Sequence, residues 1–204
     1  MTLSEFDNEI RKDYNVVCGC DEAGRGPLAG DVFAAAVIFD KDTVIEGIND
    51  SKKLTAKKRE ELFDEIMEKA VDFSIQTATV EEIEDINILN AAMLAMKRAV
   101  EDMDTKPDVC LIDGNKTPEG LECPAIAVVK GDAKSQAVAA ASILAKVARD
   151  RYMEQRAEQY PEYRFEKHKG YGTKLHYQMI DQYGPCGIHR MSFLKKYYAK
   201  KNGH

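Results

Sequence analysis

The hydrophobic and polar positions of the chain follow two different periods. Short apolar or alternating runs bounded by Gly, Pro or Asp are typical of strands, and apolar residues three or four apart among charges are typical of helices. The first pattern predicts strands at 15–20, 32–39, 72–79, 108–112 and 125–129, the first of them ending at Asp21. The second predicts helices at 55–70, 88–100, 134–159 and 175–183, followed by a basic segment that ends in Lys200 and Lys201.

Two threonines mark helix starts. Thr55 is the expected N-cap of the first predicted helix, and Thr79-Val-Glu-Glu82 fits a capping box that opens another. Two leading strands followed by alternating strands and helices predict a mixed α/β sheet covered by helices. Because the sequence holds no internal repeat, low-complexity tract or Pro/Ser-rich linker, residues 1–204 are expected to form one domain.

Acidic residues stand where several of the predicted strands end. Asp21, Asp113 and Asp132 each fall at or just beyond a strand end, and Glu22 follows the first of them. Ligands gather at the carboxyl ends of strands in open α/β sheets, so these side chains are candidates to meet at one site. Four converging carboxylates would repel one another unless a cation offset their charge, and oxygen ligands favour Mg²⁺ or Mn²⁺ over zinc. The alternative is that each aspartate only caps the next turn, with Asp132 as the N-cap of the long helix.

A glycine-rich segment follows the first acidic pair. Asp21-Glu-Ala-Gly-Arg-Gly-Pro-Leu-Ala-Gly30 contains three glycines and a proline, which let the backbone approach a ligand closely. Arg25, between two of the glycines, can present its guanidinium to a phosphate, while backbone amides can address a hydroxyl. The spacing matches neither a dinucleotide fingerprint nor a P-loop.

The composition of the chain indicates a globular protein and its cellular compartment. With 44% hydrophobic and 31% charged residues among 204, the chain can form a full core beneath a charged surface. No apolar run approaches the ~18 residues of a membrane span, and the polar N-terminus argues against an export signal, so a cytoplasmic protein without membrane contact is expected. Five scattered cysteines are an odd number and favour free thiols over a disulfide framework.

The charge is distributed unevenly. From Lys146 onward the chain has 13 Lys and Arg against 6 Asp and Glu, a net +7, whereas the first 145 residues carry a net −13. This asymmetry indicates that the C-terminal part binds a polyanion, although solvated helix faces account for many of the charges.

Eight segments together resemble the type 2 ribonucleases H, and most closely the bacterial ribonuclease HII family. They are Asp21–Gly30, Asp50-Ser-Lys-Lys-Leu54, Asn87-Ile-Leu89, Ile112-Asp-Gly-Asn115, Val129-Lys-Gly-Asp132, Ala139–Asp150, His168-Lys-Gly-Tyr-Gly-Thr173 and Ile188-His-Arg190. The Gly-Arg-Gly triplet resembles ribonuclease HII, since ribonuclease HIII would show Gly-Lys-Gly. Asp31 is a mild departure, because many members carry proline there, and only a local loop effect is expected.

This resemblance implies an RNase H-like mixed sheet flanked by helices, with a small, basic, helical C-terminal extension at about 160–204 that binds substrate. It implies that Asp21, Glu22, Asp113 and Asp132 are catalytic and hold two Mn²⁺ or Mg²⁺ ions. The implied reaction is hydrolysis of the RNA strand of RNA/DNA hybrids and cleavage 5′ to single ribonucleotides in duplex DNA. Its products would carry 3′-hydroxyl and 5′-phosphate ends.

The resemblance also assigns substrate contacts. Gly24, Arg25 and Gly26 align with the loop that senses the ribose 2′-hydroxyl, and Tyr171 with the tyrosine that packs against the next sugar on the 3′ side. Only that hydroxyl distinguishes RNA from DNA at one position. Ser51 and Lys52 are candidates for phosphate contacts, with a merely solvated role as the alternative. A monomer acting on nucleic acid is expected, and whether a sliding clamp or repair protein binds it stays open.

Two other functions compete with this interpretation. A nucleic-acid-binding module without catalysis is disfavoured because all four acids are present, and a two-metal hydrolase of small phosphates is disfavoured by the basic C-terminal part. Among the remaining polar residues, Asp150 is expected to form a structural ion pair with its neighbours Arg149 and Arg151. The histidines His168, His176 and His189 are expected at the surface or in turns.

Overall fold

The computed structural model describes residues 1–48, 51 and 54–202. Its five strands are β1 (Val17–Ala23), β2 (Val32–Ile38), β3 (Asp72–Ala78), β4 (Val109–Asp113) and β5 (Ala125–Val128). Its α-helices are α1 (Leu3–Ile10), α2 (Ala56–Lys69), α3 (Val80–Glu101), α4 (Gln136–Gln159), α5 (Phe165–His168), α6 (Lys174–Tyr183) and α7 (Met191–Asn202). The predicted strands are therefore confirmed, and the predicted basic tail is a seventh helix.

The strands form one sheet in the order β3-β2-β1-β4-β5. The first three strands in sequence pair antiparallel, β1 with β2 and β2 with β3, whereas β4 pairs parallel to β1 and β5 parallel to β4. This confirms the expected mixed sheet. It also places β1 at the centre, between an antiparallel and a parallel neighbour.

Helices cover both faces of the sheet. All seven residues of β2 are buried, which explains why its sequence is an unbroken apolar run rather than an alternation. Ala34 and Ala36 face a core shared with α3, while Ala35 and Val37 face a second core shared with α2 and α4. The small alanines on both faces let the helices lie close to the strand.

Helix α4 lies directly on β1. A side chain at Gly19 would place its Cβ 2.2 Å from the backbone of Ala137, so only glycine permits this approach. The buried carboxylate of Asp7, from α1, accepts a hydrogen bond of 2.9 Å from the Ala137 N–H. It thereby satisfies a free amide and complements the positive end of the α4 dipole.

The start of α4 differs from the sequence prediction. Its N-cap is Ser135, whose hydroxyl accepts from the Val138 N–H at 3.2 Å. The proposed capping role of Asp132 is therefore wrong, because this residue lies one turn earlier, in a short 3-10 helix at Gly131–Ala133.

Two further elements differ from their predicted bounds. Strand β1 continues through Asp21 and Glu22 because β2 keeps pairing with it beyond the last pair of its ladder with β4. Helix α3 opens with the predicted capping box at Thr79 but is interrupted at Asn87, which has φ of 67°. The Asn87 side chain accepts from the N–H groups of Leu89 and Asn90, so it caps the second helical segment.

Within the described residues, no helix has the length and apolar character to traverse a membrane.

Candidate active site

Two of the predicted acidic residues lie side by side on neighbouring strands. The parallel register pairs Cys20 of β1 with Ile112 of β4, so the next residues, Asp21 and Asp113, stand next to each other at the end of that ladder. Asp21 is buried, with 6% of its surface exposed, and Glu22 follows it on β1, partly exposed. The sheet register thus brings Asp21 and Asp113 together, and Glu22 is close enough to act on the charge of Asp21.

The fourth acid reaches this region through the turn after β5. The Asp113 carboxylate accepts a hydrogen bond of 2.7 Å from the Gly131 N–H. Asp132 is the next residue, largely buried in the same turn, and Lys130 enters that turn with a left-handed φ of 57°. The backbone next to Asp132 is therefore attached directly to Asp113.

The electrostatic field at Asp21 is strongly negative. Burial, followed by the neighbouring Glu22 and Asp113 carboxylates, raises the pKa of Asp21 well above its usual value, and a hydrogen bond from Ser142 opposes this shift. Glu22 also pairs with the half-exposed Arg25 at 3.1 Å. Glu22 is the less exposed partner, at 12%, whereas half of the Arg25 side chain is exposed and accessible to another anion.

The acidic side chains of the site form a donor set whose fit to a divalent cation follows from their chemistry. In the part of the chain that the structure describes, no three His, Cys, Asp or Glu side chains are already assembled to hold a metal ion. The chemistry of the donors nevertheless fits: they are carboxylate oxygens, and burial with like charge opposes the ionisation of Asp21, an opposition that a divalent cation would remove.

The segment 24–30, here called the glycine loop, is fixed from behind by two buried arginines. Arg190 is fully buried and donates five hydrogen bonds, which go to the backbone carbonyls of Gly24, Arg25, Pro27 and Gly30 at 2.6–3.2 Å. The inward edge of the loop is thus bound to one guanidinium, and its opposite edge lines the cleft.

The second buried arginine is Arg149, on α4. It donates to the carbonyls of Ala29, Asp31 and Lys169 at 3.0–3.2 Å. It also underlies Gly24, which has φ of 103° and where a Cβ would lie 2.2 Å from the Arg149 Nε. The first glycine of the Gly-Arg-Gly triplet is therefore required both for its backbone conformation and for the space that Arg149 occupies.

A cleft of about 510 Å³ joins Asp21 and Glu22 to the glycine loop, whereas Asp113 and Asp132 are not among its lining residues. Of the predicted residues it is lined by Asp21, Glu22, Gly24, Arg25, Gly26, Ser51 and Tyr171. Tyr171 is 41% exposed, and the ammonium of Lys146 lies 5.6 Å from its ring centroid. A different cavity of about 560 Å³, at the opposite end of the sheet near Arg11 and Lys41, contains none of the predicted residues.

Ser51 and Lys52 have different outcomes. Ser51 is buried, and its hydroxyl lies 2.8 Å from that of Ser142, which in turn hydrogen-bonds Asp21. In this structure it therefore supports the acidic residues from behind. Lys52 lies outside the described residues.

The sequence analysis gave no place in the site to four residues that shape it: Ser142, Lys146, Arg149 and Arg190. All four occur inside segments 139–150 and 188–190, which carry the family resemblance, so the resemblance was a signal that could have found them. The structural ion pair expected for Asp150 is confirmed, but with a different partner. Asp150 pairs at 2.6 Å with Lys146, one helical turn away, instead of with Arg149 or Arg151.

The histidine prediction was wrong. His168, His176 and His189 are all buried, and they pack together around the aromatic ring of Phe165. They avoid the cost of burying polar atoms because each imidazole has hydrogen-bond partners.

The strand order, the flanking helices and the carboxylates at the ends of β1 and β4 define an RNase H-like protein. Ribonuclease H2 from Pyrococcus horikoshii OT3 shares this fold with a TM-score of 0.72 and 30% identity, covering 87% of this chain and 93% of that one. The family model for ribonuclease HII matches residues 18–196. The chain belongs to the ribonuclease HII family, and it is accordingly a ribonuclease H, a hydrolase.

Two further relatives support this assignment. Ribonuclease HII from the bacterium Caldicellulosiruptor saccharolyticus is 55% identical over 189 residues, which cover 93% of this chain and 92% of that protein. The RNase HII of Archaeoglobus fulgidus, solved in a complex with PCNA, has a TM-score of 0.67 and 25% identity, covering 86% of this chain and 94% of that one. The family expected from the sequence is confirmed.

Proposed function

We propose that this ribonuclease H cleaves the RNA strand of RNA/DNA hybrids and also cuts 5′ to single ribonucleotides embedded in duplex DNA. The observation that carries the proposal is the contiguity of two features in one cleft: the buried Asp21, beside Asp113, and the glycine loop. The first feature suits a cation-assisted phosphodiester reaction. The second suits recognition of a single sugar, so their contiguity supports cleavage at a phosphate next to a recognised ribose.

The proposed ligands of two divalent ions are Asp21, Glu22, Asp113 and Asp132. When bound there, Mn²⁺ or Mg²⁺ supplies Lewis acidity for attack by water and for departure of the 3′-oxygen in an in-line displacement. Asp21 and Asp113 are held by the adjacent strands, and Asp113 is oriented further by the Gly131 N–H. Ser142 stabilises the ionised form of Asp21, which is the form that binds a cation.

Recognition of the ribonucleotide is proposed for the glycine loop together with Tyr171. Gly24, Arg25 and Gly26 present backbone groups to the 2′-hydroxyl, while the Arg25 guanidinium exchanges its Glu22 contact for a phosphate. The half-exposed ring of Tyr171 packs against the following sugar. Lys146, which faces that ring and pairs with Asp150, adds an ammonium donor on the same wall of the cleft.

The basic extension at about 160–204 is proposed to bind the flanking duplex. Lys195, Lys196 and Lys200 lie exposed on α7, and they supply positive charge beyond the cleft. Phosphate contacts of this kind make affinity fall steeply with salt. We propose further that residues 1–204 act as one domain and as a monomer in the cytoplasm. The clamp complex of the Archaeoglobus relative makes a sliding clamp the first partner to test.

The decisive experiment uses three labelled duplexes of one sequence: all DNA, DNA with a single ribonucleotide, and a continuous RNA/DNA hybrid. In Mn²⁺ or Mg²⁺ the second is expected to be cut once, 5′ to the ribonucleotide, leaving 3′-hydroxyl and 5′-phosphate ends. The hybrid should be cut at many positions, and EDTA should stop both reactions. Binding without cutting would indicate the module without catalysis, and hydrolysis of a chromogenic phosphate monoester in place of the duplexes would indicate a small-phosphate hydrolase.

Removing either recognition side chain should weaken cleavage at a single ribonucleotide. Tyr171→Ala is expected to lower kcat/KM on that substrate by about tenfold, since aromatic stacking on nucleic acid contributes about 1–3 kcal/mol. Arg25→Ala should also lower it, through loss of a phosphate contact. Because both side chains are substantially exposed, the melting temperature should stay unchanged. Met67→Ala, which removes a similarly exposed side chain on α2, outside the cleft and outside the basic extension, is the control, and parent-like kinetics for Tyr171→Ala and Arg25→Ala would refute the recognition model.

A further inference from the structure

Three buried histidines lie behind Tyr171, in a part of the molecule that the reaction itself does not use. Two of them, His176 in α6 and His189 just before α7, face each other with their Nε2 atoms 3.0 Å apart. Since two ring nitrogens form a hydrogen bond only when one carries a proton and the other does not, this contact requires two different tautomers. The surrounding backbone determines which ring is which.

The proton position on His189 follows from its other nitrogen. The backbone N–H of Cys186 donates to the Nδ1 of His189 at 2.9 Å, so this Nδ1 is an acceptor and carries no proton. The Cys186 thiol lies 3.1 Å from the same nitrogen. A neutral His189 therefore bears its proton on Nε2 and donates it toward His176.

The proton position on His176 follows independently from the opposite end. Its Nδ1 lies 3.0 Å from the carbonyl oxygen of Tyr171, and a carbonyl oxygen can only accept. The Nδ1 of His176 is thus the donor, and its Nε2 is left to accept from His189. The two assignments agree. They define a histidine chain in which each group donates to the next: the Cys186 N–H to His189, His189 to His176, and His176 to the Tyr171 carbonyl.

The surroundings keep both rings neutral. Burial lowers the pKa of His176 and of His189 to about 4, and the imidazoles of the cluster, His168 included, disfavour one another's protonation. Tyr163 and Phe165 complete the enclosure with their aromatic rings. Near pH 7 the acceptor nitrogens of both rings therefore remain unprotonated, as the histidine chain requires.

The histidine chain ends at the backbone of Tyr171, whose other backbone hydrogen bonds are local. The Thr173 N–H also donates to the Tyr171 carbonyl, and the Tyr171 N–H donates to His168, but both partners lie in the same local segment. Beside it, Gly170 accepts from the Leu28 N–H of the glycine loop at 2.8 Å. His176 and His189 connect this segment to residues 186–189, whose Ile188 carbonyl also accepts from Gly30.

We propose that His176 and His189 are positioning residues for Tyr171, and that their directed hydrogen-bond chain holds the Tyr171 ring at the depth in the cleft that the sugar beyond the ribonucleotide requires. This inference rests on the proposed role of Tyr171 in substrate recognition. That sugar is a deoxyribose in a duplex with one ribonucleotide and a ribose in a hybrid. A displaced ring should therefore change the relative rates on the two substrates, whereas a general loss of structure would lower both rates equally.

The first test measures the tautomers without any substrate or metal, by the imidazole ¹⁵N and ¹H NMR signals of the wild-type protein near pH 7. We expect His189 to be protonated on Nε2 alone and His176 on Nδ1 alone. The reverse assignment on either ring, or an imidazolium in either position, overturns the histidine chain whatever the enzyme does.

The second test compares His176→Leu with His176→Asn. Leucine removes the donor, whereas the asparagine amide nitrogen occupies the position of the imidazole Nδ1, one bond beyond Cγ, and restores a donor to the Tyr171 carbonyl. For His176→Leu, kcat/KM on the single-ribonucleotide duplex relative to the hybrid is expected to change by about fivefold, the effect of one lost hydrogen bond. His176→Asn should return the ratio to the wild-type value. Cys186→Ala keeps the backbone donor and should leave the ratio unchanged.

The outcomes distinguish failure of the positioning role of the histidine chain from failure of the proposed function. Equal loss on both substrates, or no rescue by asparagine, overturns the positioning role. Should His176→Leu fail to fold, His176→Gln replaces it, because the longer amide reaches the Nε2 position and still removes the hydrogen bond from position 176 to the Tyr171 carbonyl, which keeps only its local donor, the Thr173 N–H. If the wild-type protein cleaves neither duplex, the proposed function fails and the positioning role fails with it, while the NMR result still decides the proton order.

Discussion

Asp21→Asn is expected to lower metal-dependent cleavage by about 1000-fold or more while leaving the protein folded. The amide keeps the shape of the side chain but removes the charge that attracts a cation, and cation-assisted stabilisation of a phosphoryl transition state contributes several kcal/mol. In the absence of metal the variant should melt at the same or a higher temperature than the wild type. The reason is that Asp21 is buried next to Glu22 and Asp113, and its ionised form is disfavoured there.

The same variant also tests the cation directly. Mn²⁺ or Mg²⁺ should raise the melting temperature of the wild type, since a ligand that binds only the folded state stabilises it, and the rise should be much smaller for Asp21→Asn. Asp42→Asn, at an exposed position away from the cleft, serves as the matched control. Near wild-type turnover by Asp21→Asn would remove the site assignment, and a large loss of thermal stability would show that Asp21 has a structural role.

The elements whose packing shows in their own sequence were predictable. The unbroken apolar run of β2 and the periodic pattern of α4 gave nearly correct bounds, because burial on both sides of a strand and on most sides of a helix selects apolar residues locally. The proximity of Asp21 and Asp113 was also predictable. It needs only two parallel neighbouring strands that end at the same edge of the sheet.

The errors arose where a residue's environment comes from distant parts of the chain. Strand β1 continues through Asp21 and Glu22, against the local signal of two acids, because the ladder with β2 supplies their backbone partners. His176 and His189 are polar residues that read as surface positions, yet they are buried because they satisfy each other. Pairing of this kind leaves no periodic signal in either segment.

Arg190 is the strongest example of a residue whose role is invisible locally. The sequence around it, Ile188-His-Arg190, shows nothing of its partners, because its five hydrogen bonds reach carbonyls more than 150 residues earlier in the chain. Burial and the nearby Arg149 lower the pKa of Arg190 to about 9, so it still carries its charge near pH 7. A cation here is stabilised by carbonyl dipoles of the glycine loop, which it orders in return.

Arg190→Met is therefore expected to destabilise the protein by about 3 kcal/mol or more, because several buried carbonyls lose their donor at about 1–3 kcal/mol each. Relief of the repulsion with Arg149 offsets only part of this loss. For a chain of this length each kcal/mol corresponds to about 2–4 °C, so the melting temperature should fall by roughly 6–12 °C. Calorimetry or thermal circular dichroism measures this change.

The pattern of variants distinguishes ordering of the glycine loop from simple packing. Arg190→Lys keeps the positive charge and much of the volume, but a single ammonium cannot reach carbonyls on both sides of the loop as the planar guanidinium does. It should be intermediate in stability yet still deficient in cleavage at a single ribonucleotide, measured at a temperature where it is fully folded. Arg151→Met, at an exposed arginine paired with Glu60, should change stability by no more than about 0.5–1 kcal/mol. If Arg190→Lys cleaves like the wild type, charge alone suffices, and the five directed hydrogen bonds do not set the geometry of the loop.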